Sequence, residues 1–258
     1  MPTGRGRTDP LFYLTAAPLQ RIEIPTLFEP DGVVTILEEP PTLRPPTLGW
    51  DLWTLDRPRF VEGRKTFLAN GYRKRLALYT GGSLTFVGGF IEFLGWPRSP
   101  AQFVEDPALN GAALIELIYN FALTFTAVRE HMEPTPSRTR LWSGFRNLSV
   151  ESGRRVYLEL PFIDSTNGQP KDEEHVAPEE SHDFAARDRD LGEDFAEPAA
   201  YELVVQTYEW FGCSRESIPF VDHDRGRLDS AALHAHLAGS SALAVPKALE
   251  AREISRPF

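Results

Sequence analysis

Between residues 59 and 90 apolar and polar positions alternate in short runs, and between 110 and 132 the apolar positions change to steps of three and four. The first pattern predicts an antiparallel meander of three short strands. Asn70-Gly71 divides 60–69 from 72–79, and Asn-Gly between strand-like runs is a strong hairpin signal, because a type I′ turn needs two residues at positive φ. Thr80-Gly81-Gly82 then separates 76–79 from 84–87, so that Leu76, Leu78, Leu84 and Phe86 share one face. The second pattern is Leu114, Ile118, Phe121, Phe125, Val128 and Met132. It makes one stripe of a long amphipathic helix, with Asn110 as its N-cap and Pro134 and Pro136 beyond its end. An apolar sheet face and an apolar helix stripe bury each other, and Phe121 is expected in that interface.

The rest of the chain is read around this unit. Residues 1–10 are polar and predict a frayed terminus. Residues 11–17 (LFYLTAA) predict a strand, and Asp31-Gly32 a turn before 33–37. The stretch 38–48 holds two proline pairs, Pro40-Pro41 and Pro45-Pro46, and predicts a stiff extended connector; a docking motif for proline-binding domains is its sharper reading. Trp50 and Trp53 read as core or sheet-edge anchors. Residues 140–150 and 154–162 predict a second hairpin turning at Glu151-Ser152-Gly153. The segment 164–197 is acidic and broken by Pro170 and Pro178, which predicts a flexible insert dispensable for folding. From 198 to 258 the pattern is mainly helical. Tyr201, Val204, Tyr208 and Phe211 make a stripe that Gly212 caps, and further helices fall at 230–237 and 246–254. Strands and helices in separate runs give an α+β fold, with 11–163 as the main unit and 198–258 packed on it.

Charge changes the picture in one respect. The chain of 258 residues carries a formal net charge of −10, but twelve acidic residues against Lys171, Arg187 and Arg189 lie between 164 and 197. The remainder is near neutrality, so global acidity does not exclude a nucleic-acid partner. Cys213 is the single cysteine, which excludes an internal disulfide and a cysteine zinc site. No uninterrupted apolar run approaches the roughly 18 residues of a membrane span, and the first ten residues lack an apolar signal core, so a cytoplasmic location is expected.

Candidate chemistry is sparse. The chain has no GxxxxGK[ST] phosphate loop and no GxSxG elbow. Asp222-His223-Asp224-Arg225-Gly226 has the start of a calcium loop, but Leu233 stands where the bidentate glutamate belongs, so a polar turn is expected. His234 and His236 fall on different faces of a helix. His175 and His182 lie among carboxylates, where only unspecific metal capture is conceivable. Cys213 follows a capping glycine and reads as a buried, inert thiol. No catalytic residue, metal site or cofactor is assigned.

One cluster stands out. From 57 to 75 there are seven basic residues against Glu62 alone, with Phe60, Phe67, Tyr72 and Tyr79 interleaved. Cations that follow phosphates beside rings that stack on bases are the means by which single-stranded nucleic acid is held, which makes Arg64, Lys65, Tyr72, Arg73, Lys74 and Arg75 the candidate contacts. The structural alternative is that the aromatics face the core and the cations decorate a hairpin. Whether Tyr72 and Tyr79 face solvent beside Arg73 and Arg75 separates the two.

FYLTAAP, GWDLWTLD, LANGYRKRLALYTGGSLTFVG, FLGW, LIELIYNFALTF and YELVVQTYEWFG, in that order, resemble the C-terminal region of bacterial proteins that begin with a Schlafen/AlbA-type DNA-binding domain. The resemblance covers roughly residues 11–225. It rests on structural residues, and the N-terminal domain itself is expected to be absent, since about ten polar residues precede the first strand. It implies an accessory or sensing module of a nucleic-acid-associated system such as phage defence. Three functions are therefore carried forward: a non-enzymatic interaction module with a protein partner, a single-stranded nucleic-acid binder using 57–79, and an enzyme whose site is assembled from distant loops.

Overall fold

The computed structural model describes residues 10–29, 32–43, 57–64, 66–71, 74–89, 107–148, 155–160, 175–186, 188–190 and 195–243. In chain order the strands are β1 (Leu11–Pro18), β2 (Arg59–Val61), β3 (Thr66–Gly71), β4 (Lys74–Tyr79), β5 (Leu84–Gly89), β6 (Ala108–Asn110), β7 (Arg138–Arg146), β8 (Tyr157–Glu159), β9 (His182–Ala185), β10 (Arg189–Asp190), β11 (Val221–Asp222) and β12 (Arg227–Leu228). The α-helices are α1 (Val33–Glu38), α2 (Gly111–Arg129), α3 (Ala196–Trp210) and α4 (Ser230–Leu243). Mixed helices and a large antiparallel sheet make the fold α+β.

The sheet has eight strands in the order β2-β3-β4-β5-β1-β7, with β9 and β10 both against the far side of β7. β1 is its axis. Phe12 lies between Gly88 and Phe145, and Leu14 between Phe86 and Ser143, so the strand nearest the N-terminus joins the meander to the strand that follows α2. Alternation sends Phe12, Leu14, Phe67, Ala69, Leu76, Leu78, Leu84, Phe86, Leu141 and Phe145 inward, all buried. α2 and α3 cover that side. Asn110 caps α2 by accepting from the Ala113 N–H at 3.0 Å. Gly212, at φ +85°, closes α3: its own N–H and that of Cys213 donate to the carbonyls of Glu209 and Tyr208, the paired bonds of a Schellman motif. One core cluster runs from Phe12 on β1 to Leu237 on α4.

Several expectations are corrected. α2 is buried on every side from Gly111 to Ala122 and has half-buried positions only from Leu123 onward, so it is a central helix and its apolar stripe is only one of its packed faces. Even Glu116, Asn120 and Thr124 are fully enclosed. Asn120 Oδ1 accepts from the Leu43 N–H at 3.1 Å, so the described end of the proline-rich connector docks on this polar row. By length and composition alone α2 could cross a membrane, but its apolarity is accounted for by the core that encloses it.

Residues 60–69 are two strands separated by a 3-10 turn (Glu62–Arg64). Asn70 and Gly71 lie within the β3–β4 ladder, opposite Arg75 and Lys74, and the connection falls at 72–73, outside the described residues. The register follows the buried rows: Phe67 must oppose Leu78 and Ala69 must oppose Leu76, and this places the loop two residues later than the Asn-Gly signal. Residues 33–38 form a helix. The hairpin expected over 140–162 does not form, because β8 pairs in parallel with β6 while β7 pairs with β1, β9 and β10.

The acidic insert is only partly a loop. Residues 182–185 form β9, and Phe184 is buried against Phe145 and Trp210. The readings placed on Trp50, Trp53 and residues 246–254 lie outside the described residues.

Candidate functional site

The opposite face of the sheet is the one the described helices leave open. Its outward positions are Arg59 and Val61 on β2, Thr66 and Leu68 on β3, Arg75, Ala77 and Tyr79 on β4, and Thr85 and Val87 on β5. They continue with Tyr13 and Thr15 on β1, Arg140, Trp142, Gly144 and Arg146 on β7, and Asp183 and Ala185 on β9. Arg59, Arg75, Tyr79 and Arg140 are exposed, and Tyr13, Trp142 and Arg146 are half-buried. Tyr79, the last residue of β4 before the turn to β5, retains 42% of its accessible surface.

The candidate contacts separate on this framework. Arg75 and Tyr79 share the outward face, two steps apart on β4, which is the arrangement the binding reading requires. Lys74 has the parity of Leu76 and Leu78 and is buried at 9% exposure, so it is not part of that surface. Phe60 and Phe67 also face inward, where they pack against each other at 5.1 Å and against Phe28. Arg64 ends the 3-10 turn after β2. Lys65, Tyr72 and Arg73 lie outside the described residues. The sequence reading counted Arg59 in the basic cluster without choosing it as a contact, and it missed the surround of Thr66, Leu68, Ala77, Thr85 and Val87. The signal was the period of two, which selects one face once the register of three strands is known.

Over β1, β7 and β9 the outward face carries a closed polar cluster. Arg146 Nη1 donates to Asp183 Oδ1 at 2.6 Å, Arg146 Nη2 donates to Tyr13 OH at 3.1 Å, and Tyr13 OH donates to Asp183. The guanidinium also lies 4.9 Å from the centre of the Tyr13 ring. Gly144 permits the approach, since a Cβ there would stand 2.5 Å from both Asp183 Oδ1 and Tyr13 OH. The hydrogen bond from Arg146 holds the Asp183 carboxyl below the usual aspartate range. Burial, then the neighbouring Asp183, raises the Tyr13 phenol. Arg140 makes a two-pronged contact with Asp188 at 2.8 and 3.0 Å.

A second polar cluster lies at the end of α3. Arg215 Nη2 donates to Tyr201 OH at 2.9 Å, Tyr201 OH is 3.1 Å from His223 Nδ1, and His223 Nε2 is 2.7 Å from the Arg215 carbonyl. A carbonyl only accepts, so Nε2 carries the proton and Nδ1 accepts from the tyrosine. Beside it Glu197 holds Arg227 and Ser230. Each of these groups is matched inside the cluster, which describes structural pinning better than a reactive group aimed at a substrate.

The remaining chemical candidates follow the same course. Asp222 Oδ1 accepts from the Arg225 N–H at 3.0 Å in the turn between β11 and β12, the expected polar turn. His182 pairs with Glu179 at 2.7 Å and stacks on Trp210. Cys213 is buried, which pushes its thiol up to about 11. Among the described residues no group of three or more histidine, cysteine and acidic side chains is placed to hold a metal ion. No known family model matches the chain, and neither the curated proteins nor the solved structures contain a match.

Proposed function

We propose that this chain is a non-enzymatic binding module, and that it holds single-stranded nucleic acid through the outward face of β2–β5. The observation that carries the reading is the shared exposure of Arg75 and Tyr79 on a sheet face with no acidic residue at any outward position of those four strands. Phosphates seek the cations, and an exposed phenol ring offers a stacking surface to any base. The kinship with Schlafen/AlbA-type proteins, the membership of a bacterial nucleic-acid-associated system and a cytoplasmic location belong to the same proposal.

Titration of a labelled single-stranded oligonucleotide at several salt concentrations tests it. Two phosphates neutralised by Arg59 and Arg75 give a slope of about −1.4 in log affinity against log salt, at about 0.7 per phosphate. Duplex of the same length should bind more weakly, since its bases are stacked away from Tyr79. Absence of binding at low salt would overturn the nucleic-acid reading. It would leave a protein partner, for which Phe28, 67% exposed at the β2 edge and 5.0 Å from Phe60, is the specific mark.

A further inference from the structure

The outward face of β2–β5 has a depression at its centre, and a single small residue makes it. Ala77 lies between Arg75 and Tyr79 along β4, opposite Leu68 on β3 and Thr85 on β5. Every one of these neighbours is larger than a methyl group, so the surface dips over Ala77. Thr66 and Val87 complete a rim around a volume of about 120 Å³. A cavity of about 150 Å³ accepts a benzene ring, so this one is of single-ring size.

The lining specifies what kind of ring. Leu68, Ala77 and Val87 give an apolar floor, and the Tyr79 ring stands at one end of it. The Arg75 guanidinium stands at the other end, with Arg59 next to Leu68 on the adjoining strand. Thr66 lines the depression but is itself fully buried, and the half-buried Thr85, whose Oγ1 lies 3.2 Å from Thr15 Oγ1, adds a polar group at the rim. A flat heteroaromatic ring with polar edges and an attached anion satisfies all three requirements. A purely apolar ring makes no use of the exposed positive charges of Arg59 and Arg75, and a purely anionic ligand makes none of the apolar floor.

We propose that the depression over Ala77 is a subsite for one unstacked pyrimidine base of a single strand, its flanking phosphates lying toward Arg59 and Arg75. The subsite rests on the nucleic-acid reading above, and narrows it to a position, a ring size and a stoichiometry of one base per chain at this place.

Affinity for oligothymidylate, for oligodeoxyadenylate and for a fully abasic chain of the same length tests the subsite. The wild type should bind oligothymidylate roughly tenfold or more tighter than the abasic chain, the range expected for one stacked base. The purine oligomer should fall between them. Ala77→Leu fills the depression and should bring oligothymidylate down to the abasic level while abasic binding stays unchanged, with a thermal melt confirming that the variant is folded. Should Ala77→Leu not fold, photocrosslinking of 4-thiothymidine to the wild type decides: a crosslink at Tyr79 supports the subsite and crosslinks only elsewhere overturn it. Equal binding of the thymidylate and abasic chains overturns the subsite and leaves the electrostatic reading standing. No binding of any chain at low salt overturns both.

Discussion

On the β1–β7–β9 half of the outward face, Arg146 and Arg140 end on Asp183 and Asp188; on the β2–β5 half, Arg59 and Arg75 stand in a surface without an acidic outward position. The two halves belong to one sheet and use the same residue types. What separates them is distance from the acidic segment. β9 lies along the far edge of β7, four strand steps from β4, or about 19 Å at the usual strand spacing. That exceeds the Debye length of about 8 Å at physiological salt, so Asp183 and Asp188 act on their own half and hardly on Arg75. Arg140 and Arg146 tie β7 to the acidic segment and make this the pinned half of the face.

The comparison breaks first, and hardest, in the core beneath the pinned half. Phe184→Ala should cost about 3–5 kcal/mol in denaturant unfolding, as should Phe121→Ala at the centre of α2. A dispensable acidic loop would give an unchanged midpoint for Phe184→Ala. Next in size is Gly144→Ala, expected to cost about 1–3 kcal/mol. Its Cβ would collide with two oxygens that Arg146 holds in place. Spectrophotometric titration of the same variant should return the Tyr13 phenol toward the ordinary tyrosine range, because burial and Asp183 together raise it.

A smaller effect follows from the depressed Asp183 carboxyl. Its folded-state pKa lies below the unfolded value, so its contribution is present above about pH 4 and is lost as pH falls through the folded value. Asp183→Asn should flatten that part of the acid limb of the stability curve. The side chain is 62% exposed, so screening keeps the loss to about 1 kcal/mol or less at neutral pH. An acid limb identical in the two proteins would show that the cluster over Gly144 contributes nothing.

The two halves also differ in how far the chain announces them. The inward row Leu76, Leu78, Leu84 and Phe86, the Asn110 cap and the Gly212 terminus are local patterns, and each was legible from a few neighbouring residues. The β1–β7 pairing joins residue 11 to residue 146, and no local pattern encodes so distant a partner. β9 carries the right alternation, His182 and Phe184 inward, Asp183 and Ala185 outward. Four residues inside an acidic run, however, cannot outweigh a composition that reads as loop. The depression over Ala77 was hidden for a related reason. Alanine between Arg75 and Tyr79 becomes a cavity floor only once β3 and β5 supply Leu68 and Thr85 beside it.

Under the proposed function the β2–β5 half binds nucleic acid and the pinned half does not. Arg75→Glu and Arg140→Glu place the same charge reversal on the two halves of one exposed face. With a single-stranded oligonucleotide at low salt, Arg75→Glu should weaken binding and lower the salt slope by about 0.7, one phosphate contact. Arg140→Glu should leave both unchanged. Equal losses from the two reversals, or no binding by the wild type, would contradict the account.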